Sequence, residues 1–472
     1  MEHIHLVGIG GTGLSAIAKV LLGQGYTVSG SDQQYSELAE MVDQAGGRVY
    51  VGHRADQVEG ADRVVISSAI PEDNVEVQAA RDQGLPVLKR RQFLPYLMEG
   101  KKVVAVAGSH GKTTTTSMLI WMLTELGQRP SFIVGGVVEN LGTNAAAGSG
   151  DLFVIEADEY DRMFLGLEPD LEVITNVEHD HPDLFPSWTD FREAFRAFVG
   201  QLKPGGTVIL CQDDPGARGL SRDIPGTATI LSYGREEDSD YQLDRFQIQH
   251  QGGTKFDLIP RKDRSGAEVG VELTIPGRHN ALNAAGALAA LDQLGFSARR
   301  GARALGAFRG TGRRFEILGT YGTVTLVDDY AHHPTEIQTT IQAARDRFPD
   351  QRLWVIWEPH TYSRLQALED KFQRAFQGAD QVLITKVYPA REAKPAGFSI
   401  QELAEGIDHP AVRYVSTFEQ VLELLGRELT AQEVVIVLSA GDAVEINQAL
   451  AHRLQARSNR GGGRKYEQKA NH

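Results

Sequence analysis

Residues 103–115 read Val-Val-Ala-Val-Ala-Gly-Ser-His-Gly-Lys-Thr-Thr-Thr. An apolar run of strand length leads into a glycine-rich loop, and a lysine and threonines then open a helical pattern. Glycines let the backbone approach phosphate groups, and the amides at a helix start turn their positive dipoles toward them. The lysine adds a cation near the β- and γ-phosphates, and the next threonine can complete a Mg²⁺ shell. The stretch predicts a nucleotide triphosphate site on an α/β unit.

This loop departs from the usual phosphate-loop pattern at one place. The pattern has a glycine five residues before Gly111, where this chain has Val106, and the earlier glycine is Gly108. An ordinary glycine-rich turn is the alternative, but turn chemistry explains a lysine followed by four threonines poorly. We therefore predict a short variant of the phosphate loop, formed by Gly108, Ser109, His110, Gly111, Lys112, Thr113 and Thr114.

Length and composition limit the class of protein. A chain of 472 residues has room for roughly three domains. A formal net charge of -14 argues against a surface that coats nucleic acid, and no apolar run approaches the ~20 residues of a membrane helix. The N-terminus has no basic leader, and the single cysteine, Cys211, reads as a buried structural thiol in a reducing compartment. We expect a cytoplasmic protein with no nucleic-acid partner and no membrane insertion.

Short apolar strands alternate with helical patterns along the chain, which is typical of α/β units with parallel sheets. Residues 228–275 instead alternate at period two, which predicts a small antiparallel element beside a parallel sheet. We expect three consecutive α/β domains, a Rossmann-like first one, a central phosphate-loop domain and a Rossmann-like third one. The expected ranges are 1–99, 100–310 and 311–456, followed by a disordered tail at 457–472.

A second glycine-rich loop follows the first predicted strand, His3–Val7. Its sequence, Gly-Ile-Gly-Gly-Thr-Gly, opens a helix, and Asp32 stands at the end of the second strand. Alone, this pattern favours NAD over a structural glycine turn. A helix N-terminus accepts any diphosphate, however, including that of a UDP-sugar. The residues predicted to bind this diphosphate ligand are Gly8, Gly10, Gly11, Thr12, Gly13 and Asp32.

Acidic residues and histidines follow two strands of the second block. Glu156 begins Glu-Ala-Asp-Glu at the end of one strand, and His179 and His181 follow another. Because the carboxyl ends of parallel strands share one sheet edge with the phosphate loop, we expect these groups to lie near it. Carboxylate oxygens suit Mg²⁺, whereas a solvated acidic loop is the alternative. Sequence spacing does not show which of the two histidines, His179 or His181, belongs to the metal site.

Three further polar clusters stand at strand or helix ends. Residues 277–283 open a helix, where His279 or Asn280 can act as the N-cap or contact an adenine edge. Residues 328–334 and 358–364 hold acids, histidines and Arg364. Arg364 and the histidines can receive carboxylates, although surface salt bridges are a commoner fate of such groups.

Six motifs in this order resemble the Mur ligases, over residues 1–450. They are Gly-Ser-His-Gly-Lys-Thr-Thr (108–114), Glu-Ala-Asp-Glu (156–159), Thr-Asn-Val-Glu-His-Asp-His (175–181), Gly-Arg-His-Asn (277–280), Gly-Arg-Arg-Phe (312–315) and Asp-Asp-Tyr-Ala-His-His-Pro (328–334). The resemblance implies a UDP-binding first domain, a central ATPase domain and a third domain that closes over an amino acid. It also implies cytoplasmic peptidoglycan synthesis, and hence roles in cell shape and division.

The resemblance implies a role for each cluster. It makes the first glycine loop a UDP-diphosphate site and places Mg²⁺ on Thr113, Glu156 and His181. It implies adenine contacts for His279, Asn280 and Asn283, and a ribose contact for Asp329. The implied catalytic residues are Lys112, Glu156, His181 and Arg313, and Arg313 is expected to contact the ATP phosphates. The residues implied near the amino-acid end are His332, His333, His360 and Arg364.

The first glycine loop and the motif at 328–334 most resemble family members that join L-alanine to UDP-N-acetylmuramate. The implied reaction uses ATP and Mg²⁺, passes through an acyl phosphate and releases ADP and phosphate, and the implied protein is a monomer or weak homodimer. Ser439 stands where relatives often have glycine, and no lysine clearly matches the carbamylated lysine of some relatives. The alternatives are a ligase for a recycled tripeptide, an NAD-dependent dehydrogenase and a phosphate-loop regulatory switch.

Overall fold

The structure is a computed structural model that describes residues 1–249, 252–261 and 267–467, the last eleven of these as backbone only. Its described residues form three sheets in chain order. The predicted fold class, three consecutive α/β domains with mainly parallel sheets, is confirmed.

The first sheet has five parallel strands in the order β3-β2-β1-β4-β5. Its strands are β1 (His3–Val7), β2 (Thr27–Asp32), β3 (Arg48–Val51), β4 (Arg63–Ile66) and β5 (Val87–Lys89). Its helices are α1 (Thr12–Gly23), α2 (Glu37–Gln44), α3 (Val75–Asp82) and α4 (Arg90–Leu97), with a 3-10 segment at Ala55–Val58. Apolar residues at helical spacing in α1, among them Leu14, Ile17 and Leu21, are buried, as amphipathic patterning requires.

The second sheet has ten strands in the order β15-β14-β13-β12-β11-β10-β6-β9-β7-β8. They are β6 (Lys102–Ala107), β7 (Ser131–Val138), β8 (Thr143–Ala146), β9 (Leu152–Glu156), β10 (Leu171–Ile174), β11 (Thr207–Cys211), β12 (Thr229–Gly234), β13 (Tyr241–Ile248), β14 (Thr254–Pro260) and β15 (Val269–Leu273). The helices are α5 (Lys112–Glu125), α6 (Trp188–Val199), α7 (Pro215–Gly219), α8 (Arg278–Gln293) and α9 (Ala298–Leu305), with 3-10 segments at Tyr160–Gly166 and Leu220–Arg222.

Strands β13, β14 and β15 pair antiparallel with one another, which confirms the antiparallel element expected at 228–275. They are not a separate layer, because β13 also pairs with β12 and so extends the parallel sheet. Buried and exposed residues alternate along β15, as expected for a sheet with one face in the core. Cys211 ends β11 and is buried, as predicted.

The third sheet has six strands in the order β16-β17-β21-β18-β19-β20, and only β16 and β17 pair antiparallel. The strands are β16 (Glu316–Tyr321), β17 (Val324–Asp329), β18 (Arg352–Trp357), β19 (Gln381–Ile384), β20 (Val412–Tyr414) and β21 (Glu433–Leu438). The helices are α10 (Pro334–Arg347), α11 (Tyr362–Ala367), α12 (Glu369–Phe372), α13 (Ile400–Glu405), α14 (Phe418–Glu428) and α15 (Val444–Glu467).

The first two domains share a hydrophobic core, whereas the third has its own. Helix α1 packs against β7 and β8, and one continuous buried cluster runs from Ile4 to Phe308. Two separate clusters, which include Trp357 and Ile356, lie on the two faces of the third sheet. The hydrophobic core of the third domain is therefore separate from the one that joins the first two domains.

Two further expectations concern the chain end and membranes. The backbone of α15 continues to Glu467, and residues 468–472 lie outside the described part, so the disordered tail at 457–472 stays a prediction. Among the described helices, none is both long enough and apolar enough to cross a bilayer.

Candidate active site

The phosphate loop joins the end of β6 to the start of α5, as the sequence predicts. Gly108 and Gly111 have φ values of +141° and +80°, in the region that side chains disfavour. A Cβ atom on Gly108 would lie 2.0 Å from the hydroxyl of Thr175, so this position has no room for a side chain. The first amides of α5 lack intrahelical acceptors and are available to phosphate oxygens.

Lys112 is held at the start of α5 by the loop and by a buried acid. Its Nζ atom donates to the carbonyl of Gly108 at 2.6 Å and lies 2.8 and 3.0 Å from the two carboxylate oxygens of Glu159. Burial alone would lower the pKa of Lys112, but Glu159 and Asp158 outweigh it and raise the pKa, which keeps the ammonium charged. Glu159 is fully buried and was not singled out from sequence, although it belongs to the Glu-Ala-Asp-Glu motif.

Thr113 and Glu156 provide two oxygen donors side by side. The Thr113 hydroxyl donates to a Glu156 carboxylate oxygen at 2.9 Å, and the amide of Gly135 donates to the other oxygen at 2.6 Å. Burial raises the pKa of Glu156, as expected for a carboxylate that lacks enough positive charge nearby. A hydroxyl and a carboxylate are the hard oxygen ligands that Mg²⁺ prefers, so these residues fit the expected ion.

The structure separates the two candidate histidines. The Nε2 atom of His179 lies 2.8 Å from the carbonyl of Phe185, and the ring packs against Phe191, a structural environment. The Nε2 atom of His181 lies 3.5 Å from Glu159, on the side of the loop where Lys112 is found. His181, unlike His179, therefore lies beside the acid that holds Lys112.

A cavity of about 230 Å³ lies between the central and third domains, next to the phosphate loop. It is lined by eight of the residues predicted to bind ATP, together with Arg314 and three further acids, Glu178, Asp214 and Glu336. The predicted residues that line it are His110, Gly111, Thr113, Thr114, His279, Asn280, Asn283 and Asp329.

The start of α8 excludes the capping interpretation of the 277–283 cluster. Gly277 occupies the N-cap position with a φ value of +97°, and no side chain caps the helix. Asn280 donates to the carbonyl of Pro276 at 2.7 Å, and Asn283 donates to Asn280 at 3.2 Å. Burial lowers the pKa of His279 to about 4, so its imidazole is neutral at pH 7. Neutral amides and a neutral imidazole suit the edge of a nucleobase.

The role of Arg313 on the ATP phosphates stays a prediction, and its surroundings differ from those of the adjacent Arg314. The Nε atom of Arg313 donates to Asp328 at 3.1 Å, and its Nη2 atom donates to the carbonyl of Ser439 at 2.7 Å. Arg313 does not line the described cavity, whereas Arg314 does. Arg313 has a left-handed backbone, φ +60°, which places the two consecutive arginines in different environments. Sequence alone gave no means of choosing between adjacent arginines.

Asp329 lies at the end of β17 and lines the cavity. Its two carboxylate oxygens accept from the amides of Ala331 at 2.7 Å and Phe315 at 2.8 Å. Burial raises the pKa of Asp329 to about 6. The two amides hold the carboxylate in a fixed orientation, as an acceptor for a hydroxyl group would need.

Three of the four residues expected at the amino-acid end lie together. The rings of His332 and His360 are 5.3 Å apart, and the Nη1 atom of Arg364 lies 2.9 Å from Nδ1 of His360. Burial and the nearby guanidinium lower the pKa of His360 to about 4.

The fourth residue, His333, contacts the phosphate loop. It is the N-cap of α10, and its ring packs 4.6 Å from that of His110 in the phosphate loop. His333 therefore lies between α10 and the phosphate loop, and its expected place at the amino-acid end stays a prediction.

His110 connects the phosphate loop to the third domain. Its ring nitrogens lie 3.4 Å from Glu178 and 3.3 Å from Glu336, an acid of α10. His110, Glu178 and His333 also place possible metal-ligating atoms within 4.8 Å of one another. Glu178 already accepts from Thr335 at 2.7 Å and Lys371 at 2.6 Å, so we assign this cluster to domain contact.

The first glycine loop opens α1 after Gly11, again without a side-chain cap. The amide of Gly10 donates to the Asp32 carboxylate at 2.9 Å, so Asp32 holds the loop. Arg90 lies so close to Gly13 that a Cβ atom there would be 1.9 Å from its guanidinium. Sequence reasoning missed Arg90, which lines a cavity of about 270 Å³ together with Ser68, Lys89, Arg91, Gln92, Asp161 and Met163.

Three family models match the chain. "Mur ligase family, catalytic domain" matches residues 3–102, "Mur ligase middle domain" matches 106–291, and "Mur ligase, glutamate ligase domain" matches 313–441.

Full-length relatives agree with these matches. The chain is 43% identical over 445 residues to the UDP-N-acetylmuramate–L-alanine ligase of Syntrophomonas wolfei, covering 93% of this chain and 95% of that protein. It is 40% identical over 460 residues to the enzyme of that name from Salinibacter ruber, covering 96% and 95%.

Solved structures agree as well. The crystal structure of a UDP-N-acetylmuramate-alanine ligase from Thermotoga maritima matches with a TM-score of 0.78 and 28% identity, covering 97% of this chain and 100% of that one. A murein peptide ligase from Psychrobacter arcticus matches with a TM-score of 0.71 and 27% identity, covering 96% and 99%. The three family models match in chain order, and relatives that are 40–43% identical match over nearly the whole length. The chain therefore belongs to the Mur ligase family.

Proposed function

We propose that this chain joins L-alanine to the carboxylate of UDP-N-acetylmuramate, with ATP converted to ADP and phosphate, as a step in peptidoglycan synthesis. The observation that carries the proposal is the cavity of about 230 Å³ that brings the phosphate loop, the neutral groups of α8 and Arg314 together in one place. The names of the relatives, which are 40–43% identical, support this pair of substrates.

The proposed division of labour follows the three domains. Residues 1–99 bind the UDP substrate, residues 100–310 bind ATP, and residues 311–456 bind the amino acid. Gly8, Gly10, Gly11, Thr12 and Gly13 receive the diphosphate at the start of α1, and Asp32 orders their loop. Arg90, with its neighbours Lys89 and Arg91, adds positive charge between this loop and the central domain.

The first chemical step transfers a phosphoryl group. A carboxylate oxygen of the sugar acid forms a bond to the γ-phosphorus, the bond to the ADP oxygen breaks, and an acyl phosphate results. Two anions at ~4 Å repel by about 4 kcal/mol even at an effective dielectric of 20. Lys112 from the central domain and Arg314 from the third domain supply the compensating charge.

The proposed metal is Mg²⁺, held by Thr113, Glu156 and His181, and it would neutralise phosphate charge when bound. Asn280 and Asn283 contact the adenine, with His279 beside them, and Asp329 accepts from the ribose.

The second step forms the amide. The amine of L-alanine adds to the acyl carbon, and the tetrahedral adduct then expels phosphate while the nitrogen loses a proton. His332, His360 and Arg364 line the amino-acid end, where the guanidinium of Arg364 suits a carboxylate. Docking of the third domain excludes water, which would otherwise hydrolyse the acyl phosphate.

A panel of substrates tests the function. Purified protein with Mg·ATP and UDP-N-acetylmuramate should release one ADP per L-alanine consumed, and omission of either co-substrate should abolish release. The murein tripeptide, glycine and serine are offered in parallel, and NADH binding is titrated. Faster ADP release with tripeptide than with L-alanine, or ATP turnover without any amine, would contradict the proposal.

The nucleotide substrates support a cytoplasmic location, which we propose together with a monomer or weak homodimer. Sedimentation of the purified chain over a range of concentrations tests the oligomeric state.

A further inference from the structure

The loop after β10, Val177–His181, lies between the nucleotide site and the third domain. His181 on this loop faces Glu159, whereas the neighbouring Asp180 faces Arg364 of α11. Asp180 and Arg364 are only 4% and 2% exposed. Asp180 lies within the motif at 175–181, but neither the sequence analysis nor the mechanism above gives it a role.

Asp180 fixes the plane of the Arg364 guanidinium. The Nε and Nη2 atoms of Arg364 lie 2.9 and 2.8 Å from the same oxygen of Asp180, and Nη1 lies 2.9 Å from His360. A planar group directed by two partners on different edges cannot rotate. A guanidinium has five N–H donors, and Nη2 of Arg364 also lies 3.5 Å from Nδ1 of His181, so these contacts leave one N–H of Nη1 for a further acceptor.

The contact also crosses a domain boundary. Asp180 belongs to the central domain, and Arg364 belongs to the third domain, which has its own hydrophobic core. Arg364 therefore meets its anchoring carboxylate only when the third domain is docked. A buried charge pair of this kind is costly to break on one side, because the other charge stays buried without a partner.

We propose that Asp180 is a positioning residue for the amino-acid substrate. It holds Arg364 in the orientation that receives the carboxylate of the incoming amino acid, so the amino-acid pocket is complete only in the docked state. This inference rests on the proposed function, since it needs an amino acid at that end of the site.

A competing role for Asp180 is support of His181. The carboxylate of Asp180 accepts from the His181 amide at 2.7 Å and lies 3.7 Å from its ring. If this were the main role, loss of the charge would alter the metal requirement and leave amino-acid binding unchanged. The two roles therefore predict different kinetic signatures.

Asp180→Asn is the decisive variant, because it keeps the side-chain size and removes the charge. We expect the KM for L-alanine to rise at least ~10-fold, as for loss of a charge-assisted buried contact, while the KM for ATP and the Mg²⁺ half-saturation change by less than about twofold. With L-alaninamide, which lacks the carboxylate, kcat/KM should fall much less than with L-alanine.

Lys371→Gln is the matched control. Lys371 also crosses this boundary, to Glu178 at 2.6 Å, but its side chain is half exposed and does not contact Arg364. We expect the KM for L-alanine, the KM for ATP and the Mg²⁺ half-saturation of this variant to stay within about twofold of wild type, because exposed ion pairs contribute little free energy.

An increased Mg²⁺ requirement with an unchanged KM for L-alanine in Asp180→Asn would overturn the inference, as would an equal loss with L-alanine and L-alaninamide. If that variant melts below the assay temperature, Asp180→Glu decides, since its longer side chain displaces Arg364 and should selectively raise the KM for L-alanine. A wild-type protein without L-alanine-dependent ADP release would instead refute the proposed function, so the two failures are distinct.

Discussion

At the scale of single residues, the site depends on charges that are buried and paired before any substrate binds. Lys112 is the main example, since its ammonium lies 2.8 Å from a carboxylate oxygen of Glu159, which is fully buried. A cation fixed in this way needs little reorganisation when negative charge develops on a phosphoryl group. The acid keeps the lysine charged, and the phosphates compete with it for the ammonium.

Lys112→Ala should therefore lower kcat by on the order of 10³-fold, as expected when a transition-state charge is no longer stabilised. Rapid-quench measurement of ADP formation checks this, and circular dichroism verifies the fold. A variant that keeps more than a tenth of wild-type turnover would refute the assignment of Lys112.

The adjacent arginines provide a matched pair of substitutions. Arg314→Ala should reduce kcat at least ~10²-fold, because Arg314 lines the nucleotide cavity. Arg313→Ala should mainly lower the melting temperature of the third domain, since Arg313 bonds Asp328 and Ser439. Steady-state kinetics and calorimetry on both variants give the comparison. A larger loss of kcat in Arg313→Ala than in Arg314→Ala would show that Arg313 is the catalytic arginine.

At the scale of elements, the phosphate loop and α10 are joined by a charge contact. His110 of the loop lies between Glu178 and Glu336, next to His333. Burial lowers the pKa of His110, but these two carboxylates and Asp180 outweigh burial and raise it to about 9. The glycine-rich loop at 108–114 is thus also part of the surface that contacts the third domain.

The contact predicts a pH dependence of stability. Because the folded-state pKa of His110 is raised from 6.5 to about 9, its stabilising contribution is complete below pH 6.5 and is lost as the pH rises through about 9. His110→Asn should be less stable than wild type at pH 6.5, by at least about 1 kcal/mol, and the difference should shrink by pH 9.5. Urea unfolding at both pH values measures it, and a pH-independent difference would argue against a charged imidazole.

At the scale of the whole molecule, the hydrophobic cores divide the chain into two units. The first two domains share one buried cluster, in which α1 packs against the central sheet. The third domain meets them through polar contacts such as Arg364 with Asp180. An apolar interface would resist separation, whereas a polar one allows the third domain to open for substrates and close for chemistry.

The two-unit organisation predicts two thermal transitions. Ile356→Ala, in the core of the third domain, should cost about 2–5 kcal/mol and lower only one of the two transitions. Differential scanning calorimetry of the full chain measures both. A single transition that shifts as a whole would show that the three domains unfold as one cooperative unit.

The sequence by itself determined the three α/β blocks, the antiparallel strands β13–β15 and the phosphate loop. These features can be predicted from short stretches of sequence. The spacing of apolar residues, the glycines of a loop and a lysine at a helix start are each recognised within a few residues. The position of Glu156 at the end of β9 was predictable for the same reason.

Only the tertiary structure decided which of two adjacent or nearby residues faces the site. In the structure Arg314 lines the cavity beside the phosphate loop and Arg313 does not. His181 lies near Glu159 whereas His179 contacts Phe185, and His333 packs against His110. The structure also revealed Glu159, Arg90 and Asp180, whose partners lie far away along the chain. Side-chain direction at a loop and contacts between domains depend on how three separately patterned units pack, and no local pattern records that packing.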